Sequence, residues 1–254
     1  MESRAEPRAP LSMRGAGIFD RIDYRLIESP EDRDRICALR YRGYLHGGLI
    51  SESESQRVTD PYDDAPNAWT FGVYVDGELC SSLRLHVLTS EWRMSHTSDL
   101  FSDVLYPRLD RGEIFVDPCR FVADPEKAKK FPELPYLTLR LAYLACEHFR
   151  ADTGLAAVRA EHQAFYRRVF LHKPITGPRS APNLHINVAL MTSDFRSLRE
   201  RVLTRFPIMR SSAFERRMLF ERGNVRAAVP RPVLVAGTAR ASRAAALEGL
   251  LPSS

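Results

Sequence analysis

An Asp-Gly pair bounded by two β-rich runs, WTFGVYV before it and ELCSSLRLHVL after it, constrains the fold of this chain more than any other stretch. Asp76-Gly77 suits a two-residue turn in which both central residues need positive φ, and the flanking valines, leucines and aromatics favour a pleated, half-buried surface. An antiparallel hairpin over Trp69 to Leu88 is therefore the expected nucleus of a sheet.

Around it the remaining elements fall in a definite order. Ile22 to Ile27 alternates as a first strand, and Ser29 then offers an N-cap with Pro30 at the first helical position and acids in the first turn. Ile36, Leu39, Arg40, Gly43 and Tyr44 recur at helical spacing, which puts Arg40 and Tyr44 on one helix face. After Gly47-Gly48 a polar loop runs to Trp69. Past the hairpin, Glu113 to Val122, Leu155 to Ala160 and His185 to Met191 read as strands; Tyr136 to Ala151, Gln163 to Leu171 and Phe195 to Phe206 read as helices. Pro118 within a run of β-formers points to a bulge or a splayed strand. The order implies a mixed α/β domain with an antiparallel meander ahead of β-α-β units.

Residues 1–20 and the Ala/Arg/Pro-rich stretch 222–254 lack periodicity and read as flexible tails, leaving one domain over 21–221 of the 254 residues. With 44% hydrophobic residues that domain can bury a substantial core, and its net charge of +5 suits an acidic protein partner or an anionic substrate. Cys37, Cys80, Cys119 and Cys146 form no CxxC, so neither a metal site nor a disulfide framework is expected. Leu134 to Cys146 is too short for a membrane span and is broken by Pro135, Thr138 and Arg140, while the N-terminus lacks the apolar core of a signal peptide. The expectation is a cytoplasmic protein without a membrane segment, touching a membrane only through a lipid product.

Arg40, Arg42, Tyr44, Asp60 and Asp63 crowd the first helix and the loop after it. Alone they read as solvated helix charge and turn chemistry. Partners appear further on: Arg84 sits opposite its apolar neighbours Leu83 and Leu85, and Asp117 and Arg120 lie three apart in FVDPCRFV. Arginine seldom enters a core without an acid, and Asp60, Asp63 and Asp117 are the acids available. Such a cluster serves either a structural ion-pair network or a site.

The order of elements resembles the GNAT acyltransferase architecture, a mostly antiparallel mixed sheet in which strands 4 and 5 splay and a pantetheine arm lies between them. The segments LRYRGY, DPYD, SSLRL and FVDPCRF resemble, in order and spacing, the motifs of the acyl-homoserine-lactone synthases. On that resemblance Arg40, Tyr44, Asp60, Asp63, Arg84 and Arg120 occupy family positions. Asp117 stands where those enzymes carry Glu, and they carry a tryptophan after Tyr44 that is absent here. The second half is more similar to the bacterial long-chain N-acyl amino acid synthases, through VRAEHQAFYRRVF together with RYR-x-Y and the D-x-[FY]-D loop. The likeness spans about Asp23 to Phe195.

That resemblance implies an N-acyltransferase that moves a fatty acyl group from a thioester to the α-amine of an amino acid, with no permanently bound cofactor and no nucleic acid. The reaction needs a base, an oxyanion site and a proton for the departing thiolate. Asp117, or Asp60 through a water, is the candidate base. Arg84 and Arg120 would hold the amino-acid carboxylate or fix the acids. Backbone N–H groups near the bulge, from Pro118 to Phe121 but not from the proline itself, would face the thioester carbonyl. His162 and Tyr166 stand where a proton donor or packing group near the sulfur is expected, and Cys119 reads as packing.

The co-substrate is an acyl carrier protein thioester on phosphopantetheine, or acyl-CoA. CoA users in the GNAT group place a glycine-rich loop at a helix N-terminus to take the pyrophosphate. Here DPEKAKKFPELP has no glycine and reads as a loop carrying Lys127, Lys129 and Lys130, which suits the acidic face of acyl carrier protein. The alternatives are an acyl-homoserine-lactone synthase, a basic module binding through Arg216, Arg217, Arg222 and Arg226, and a GNAT-like scaffold without activity.

Overall fold

A computed structural model describes residues 16–181 and 184–221. In chain order the elements are α1 (Ala16–Phe19), β1 (Ile22–Leu26), α2 (Pro30–His46), β2 (Ala68–Val75), β3 (Glu78–Leu88), α3 (His96–Leu100), α4 (Ser102–Leu109), β4 (Phe115–Ala123), α5 (Pro125–Lys130), α6 (Leu134–Phe149), β5 (Thr153–Val158), α7 (Gln163–Phe170), β6 (Lys173–Pro174), β7 (Arg179–Ser180), β8 (Asn187–Asp194), α8 (Phe195–Arg205) and α9 (Ala213–Phe220). The sheet runs β1-β2-β3-β4-β5-β8-β6, with β7 also on β8, and only β4 with β5 is parallel.

The hairpin forms as the Asp-Gly signal requires: Asp76 has φ +53° and Gly77 φ +79°, and β2 pairs with β3 around them. Ser29 caps α2, accepting from the Asp32 N–H, with Pro30 at the helix start. α2 crosses close over β4 at Gly43, where a Cβ would overlap the Val122 side chain, so this helix can approach the sheet only without one.

β4 and β5 pair at two positions, Phe115 with Thr153 and Val116 with Gly154, and then part. Pro118, which has no N–H to donate, stands just past the last pair. The extra residue of β4 is displaced from the expected spot: Pro118 stays in register with Leu85, and the register slips between Cys119 and Val122, where Arg120 takes φ +51°. The bulge is therefore built on an arginine in left-handed conformation, one step beyond the proline.

α6 packs its apolar side against the sheet and carries a buried arginine. Arg140 donates to the carbonyl oxygens of Ile208 and Arg210 at 2.7 Å each and pairs with Glu215, tying the end of the described chain to the core.

Two expectations change. The lysine-bearing segment is helical rather than a loop: Asp124 accepts from the Glu126 and Lys127 N–H groups and Pro125 opens α5. The expected tail 1–20 is partly ordered, since α1 buries Ile18 in the main core; residues 1–15 and the expected tail 222–254, with Arg222 and Arg226, lie outside the described residues. Among the described residues no helix is long and apolar enough to cross a membrane.

Candidate active site

The polar loop after α2 folds back as a short 3-10 turn, Pro61–Asp64, locked by reciprocal capping: Asp60 accepts from the Tyr62 N–H and Asp63 accepts from the Asp60 N–H. This turn aims both carboxylates at β3. There Arg84, 0% exposed, donates from Nη1 to Asp60 and to Asp63 at 2.7 Å each, and from Nη2 to Asp60 at 3.1 Å. Arg40 reaches Asp63 from α2 at 2.8 Å, and Arg120 reaches Asp60 from the bulge with Nε at 2.8 Å. Three of the family-position arginines thus converge on two acids. Arg42 lies apart, on the outer face of α2, where it reaches Asp124.

Burial pushes the Asp60 carboxyl up, but hydrogen bonds from His96 and Arg84 and the charges of Arg84 and Arg120 outweigh it and hold the group well below the usual carboxylate range. For Asp63 burial likewise opposes ionisation, and the Arg40 and Arg84 charges lower it. Asp60 is consequently a firmly ionised anchor, and a poor proton acceptor, which removes it as the candidate base.

Asp117, the other candidate base, pairs in register with His86 and so shares the sheet face that carries Arg84, but it makes no ion pair with the cluster's arginines. Its side chain is 0% exposed, and burial raises its pKa against the Ser95 and Thr97 hydroxyls and the Arg84 and His96 charges, which lower it. It does not line the cleft that Arg120 borders. Arg84 likewise cannot be a substrate fork, because every guanidinium nitrogen is engaged: Nε donates to Cys119 Sγ at 3.3 Å.

What does face a cleft is Arg120. With Tyr44, His96, Thr97, Pro118 and Cys119 it borders a cleft closed on the far side by Ala157, Leu184 and Val188, so this cleft bridges the two parted strands. The Arg120 guanidinium lies 5.8 Å from the Tyr44 ring. Burial opposes its charge while Tyr44 and Asp60 raise its pKa. His96 was not anticipated. Ser95 caps the short helix α3 and presents the ring so that Nε2 lies 3.1 Å from both Asp60 Oδ2 and Arg120 Nη2, with the ring tilted at 52° against Tyr62, centroids 4.3 Å apart. It comes from the stretch 89–112, which carries no hairpin or strand signal.

Behind the cleft, Cys119 Sγ lies 3.5 Å from His86 Nδ1, and His86 Nε2 lies 3.4 Å from the Tyr62 carbonyl. Burial and then the Arg84 charge push His86 down to about 3, so it is neutral. Burial raises the Cys119 thiol.

On the opposite face of the sheet the same parting of β4 and β5 opens into an apolar cavity bordered by Val116, Pro118, Gly154, Leu155, α6 and α8. Tyr166 lines it, with its phenol raised by burial. Phe121 packs on that side, against the main core. His162 does not join either cavity: it ends a 3-10 turn as an exposed residue, with its pKa lowered by partial burial and by Arg159. Lys127 pairs with Glu78, Lys129 with Glu126 at 2.7 Å, and Lys130 lies 5.2 Å from the Phe131 ring.

Comparison with known proteins gives these features a context. The profile of a family described as N-acyl amino acid synthase FeeM matches residues 35–194. The structure of FeeM, an N-acyl amino acid synthase from uncultured soil microbes, superposes with a TM-score of 0.58 at 17% identity, over 73% of this chain and 97% of that one. BjaI, a CoA-dependent acyl-homoserine lactone synthase solved with SAM and isopentyl-CoA, gives 0.50 at 16% identity over 71% of this chain and 83% of its own. At these identities the structural likeness speaks for the fold. No curated protein matches the sequence.

Proposed function

The chain belongs to the FeeM N-acyl amino acid synthase family and is an N-acyltransferase, and from that premise we propose that it joins a fatty acyl group, delivered as an acyl carrier protein thioester, to the α-amine of an amino acid. The observation that carries the proposal is the placement of Arg120 and His96 side by side in a cleft that bridges the parted strands β4 and β5.

In this reading the acyl thioester lies in the gap, with its carbonyl toward the backbone N–H groups of the bulge around Arg120 and Phe121, which would stabilise the oxyanion. Arg120 spends Nε and Nη2 on Asp60; its Nη1 remains to take the amino-acid carboxylate. Tyr44 supports that guanidinium from below. With Nε2–H donating to Asp60, His96 accepts the proton of the attacking amine at Nδ1, and Asp60 stabilises the imidazolium so formed, much as a carboxylate orients a catalytic histidine elsewhere. Collapse of the tetrahedral intermediate forms the amide, breaks the C–S bond and returns the proton from His96 to the departing thiolate. Arg84, Arg40 and Asp63 are bracing groups that hold Asp60 in place. Tyr166 contacts the acyl chain, and neither Asp117 nor His162 takes a step.

Donor choice rests on Lys127, Lys129 and Lys130. The surface ion pairs of Lys127 and Lys129 are weak and exchangeable for the acids of a carrier protein, and Lys130 stands beside them. Such a partner, like free amino acids, belongs to the cytoplasm. The test is direct: purified protein with long-chain acyl carrier protein or acyl-CoA and the twenty amino acids should release thiol and yield an N-acyl amino acid by mass spectrometry. A homoserine lactone product would instead identify an autoinducer synthase, and no amide with any pair would refute the transferase reading.

A further inference from the structure

The apolar cavity behind the gap contains a polar group with hydrogen-bonding capacity to spare, with a phenol beside it. Other polar groups in its wall are spent: the Tyr143 hydroxyl donates to the Arg199 carbonyl at 3.1 Å, the Ser193 hydroxyl donates to the Phe170 carbonyl at 2.8 Å, and Arg199 pairs with Glu147. His172 differs. It is 7% exposed, and neither ring nitrogen makes a hydrogen bond; the Gly154 and Leu155 backbone faces the ring outside hydrogen-bonding geometry. Tyr166, half-buried and lining the same cavity, stands beside it, ring centroids 5.7 Å apart and planes at 84°. Burial lowers His172 to about 4 and raises Tyr166, so both are neutral near pH 7.

A buried imidazole without partners is costly and usually has a reason. A neutral imidazole presents one donor and one acceptor, and a phenol presents the same pair. An unsubstituted hydrocarbon chain would leave the imidazole unpaired. A hydroxyl, which donates and accepts at once, would satisfy one of each. Position matters as well. A Cβ built at Gly154, the last β5 residue paired with β4, would sit 3.8 Å from His172 Nε2, so the ring lies where the two strands begin to part. A chain entering from the gap meets His172 within its first few carbons.

We propose, resting on the acyltransferase reading above, that His172 and Tyr166 form a subsite for a hydroxyl on the acyl chain close to its thioester carbonyl, making hydroxyacyl thioesters the favoured donors. Both act as specificity residues rather than in bond making. Donors of equal length, unsubstituted or hydroxylated at C2, C3 or C4, should be compared in competition on whichever carrier supports turnover. The best hydroxyacyl donor should exceed the unsubstituted one in kcat/KM by at least about 10-fold, since a site built to bind a hydroxyl rejects the analogue lacking it. His172→Leu and Tyr166→Phe should each bring that ratio toward one; the second variant removes a single oxygen and keeps the ring, guarding against a folding defect in the first. Equal or better use of the unsubstituted chain by the wild type, or a ratio unmoved in both variants, would overturn the proposal. If no donor yields amide, the transferase reading fails, and thermal-shift titration with the matching free hydroxylated and plain fatty acids still decides the subsite: a larger shift with the hydroxy acid, lost in Tyr166→Phe, supports it, and equal shifts refute it.

Discussion

Arg84 and Asp60 are joined by two hydrogen bonds, Nη1 to Oδ1 at 2.7 Å and Nη2 to Oδ2 at 3.1 Å, with the guanidinium wholly buried. Removing Arg84 takes the shared, fully buried donor from both acids, leaving Asp60 to Arg120 and His96 and Asp63 to Arg40. Arg84→Ala leaves Asp60 and Asp63 short of their common partner and should cost about 3–5 kcal/mol. For a domain of this size that is a fall in Tm of roughly 6–20 °C, read by thermal denaturation followed by circular dichroism.

Arg120 shares the same acid but faces the cleft, so its loss should separate activity from stability. Arg120→Ala still leaves Asp60 bonded to Arg84 and His96. Turnover should fall by about 100-fold or more, with KM for the amino acid rising, while Tm stays within a few degrees of the wild type, because a lost charge-assisted carboxylate contact costs about 2–4 kcal/mol of transition-state binding. Steady-state kinetics beside a melting curve distinguishes this from the Arg84 case.

Asp117→Asn tests the displacement of that carboxylate from catalysis. The group is buried beside the Ser95 and Thr97 hydroxyls and does not line the cleft that Arg120 borders. The substitution should leave kcat/KM within about fivefold of the wild type, as expected for a residue that makes no transition-state contact. A loss of several orders of magnitude in a stably folded protein would restore Asp117 as the base.

Acid should weaken the fold in a defined window. His86 and His172 are held neutral by burial, at about 3 and about 4, against an unfolded value of about 6.5. The unfolded chain therefore takes up their protons first, and stability falls as pH drops below about 6.5, by up to about 1.4 kcal/mol per pH unit for each ring until its folded value is reached. Asp60 and Asp63, held low, lose their contribution further down, below about pH 4. Asp117 has the opposite sign: raised by burial, it favours the fold in acid and gives that up as pH climbs through its folded value. Urea titrations from pH 7 to pH 4 should show the decline, and His172→Leu should remove one ring's share of the slope.

Charge reversal of Lys127, Lys129 and Lys130 should raise KM for acyl carrier protein thioesters by about 10-fold at low salt and have little effect near 1 M salt, where screening is complete within about 3 Å. With acyl-CoA the same variant should show no comparable salt-dependent change, so the two donors are told apart in one kinetic series.

The hairpin, the first helix and the convergence of Arg84 with Asp60 and Asp63 were legible because each has a local cause: turn chemistry at Asp76-Gly77, a cap at Ser29, and the need of a buried arginine for acids. Roles within the cluster were not. Whether Asp60 acts as base or anchor depends on how many cations surround it, and Asp117 differs from it only in facing a wall of backbone and hydroxyls. His96 carries no spacing signal at all; its place depends on a short capped helix between β3 and β4. The lysine segment forms one short helix on an Asp124 cap with Pro125 at its start, a signal too short to stand out between two longer elements. His172 and its cavity follow from packing across α6, α7 and α8, which no periodicity encodes.

The close approach at Gly43 offers a sharper handle on packing. Gly43→Ala forces a methyl into the Val122 side chain and should cost about 1–3 kcal/mol by overpacking, measurable by urea unfolding. It would also push α2, with Arg40 and Tyr44, away from the bulge.

The two residue pairs that join β4 to β5 have a mechanical meaning. They make the sheet two plates on a short common hinge, one plate bearing Arg120 and His96 and the other bearing Ala157 and Val188. An occupant lying across the gap touches both plates at once and acts as a strut between them. The empty enzyme should rock about Val116 and Gly154, and the loaded one should move as a single body, so that the donor sets the stiffness of the platform on which it reacts.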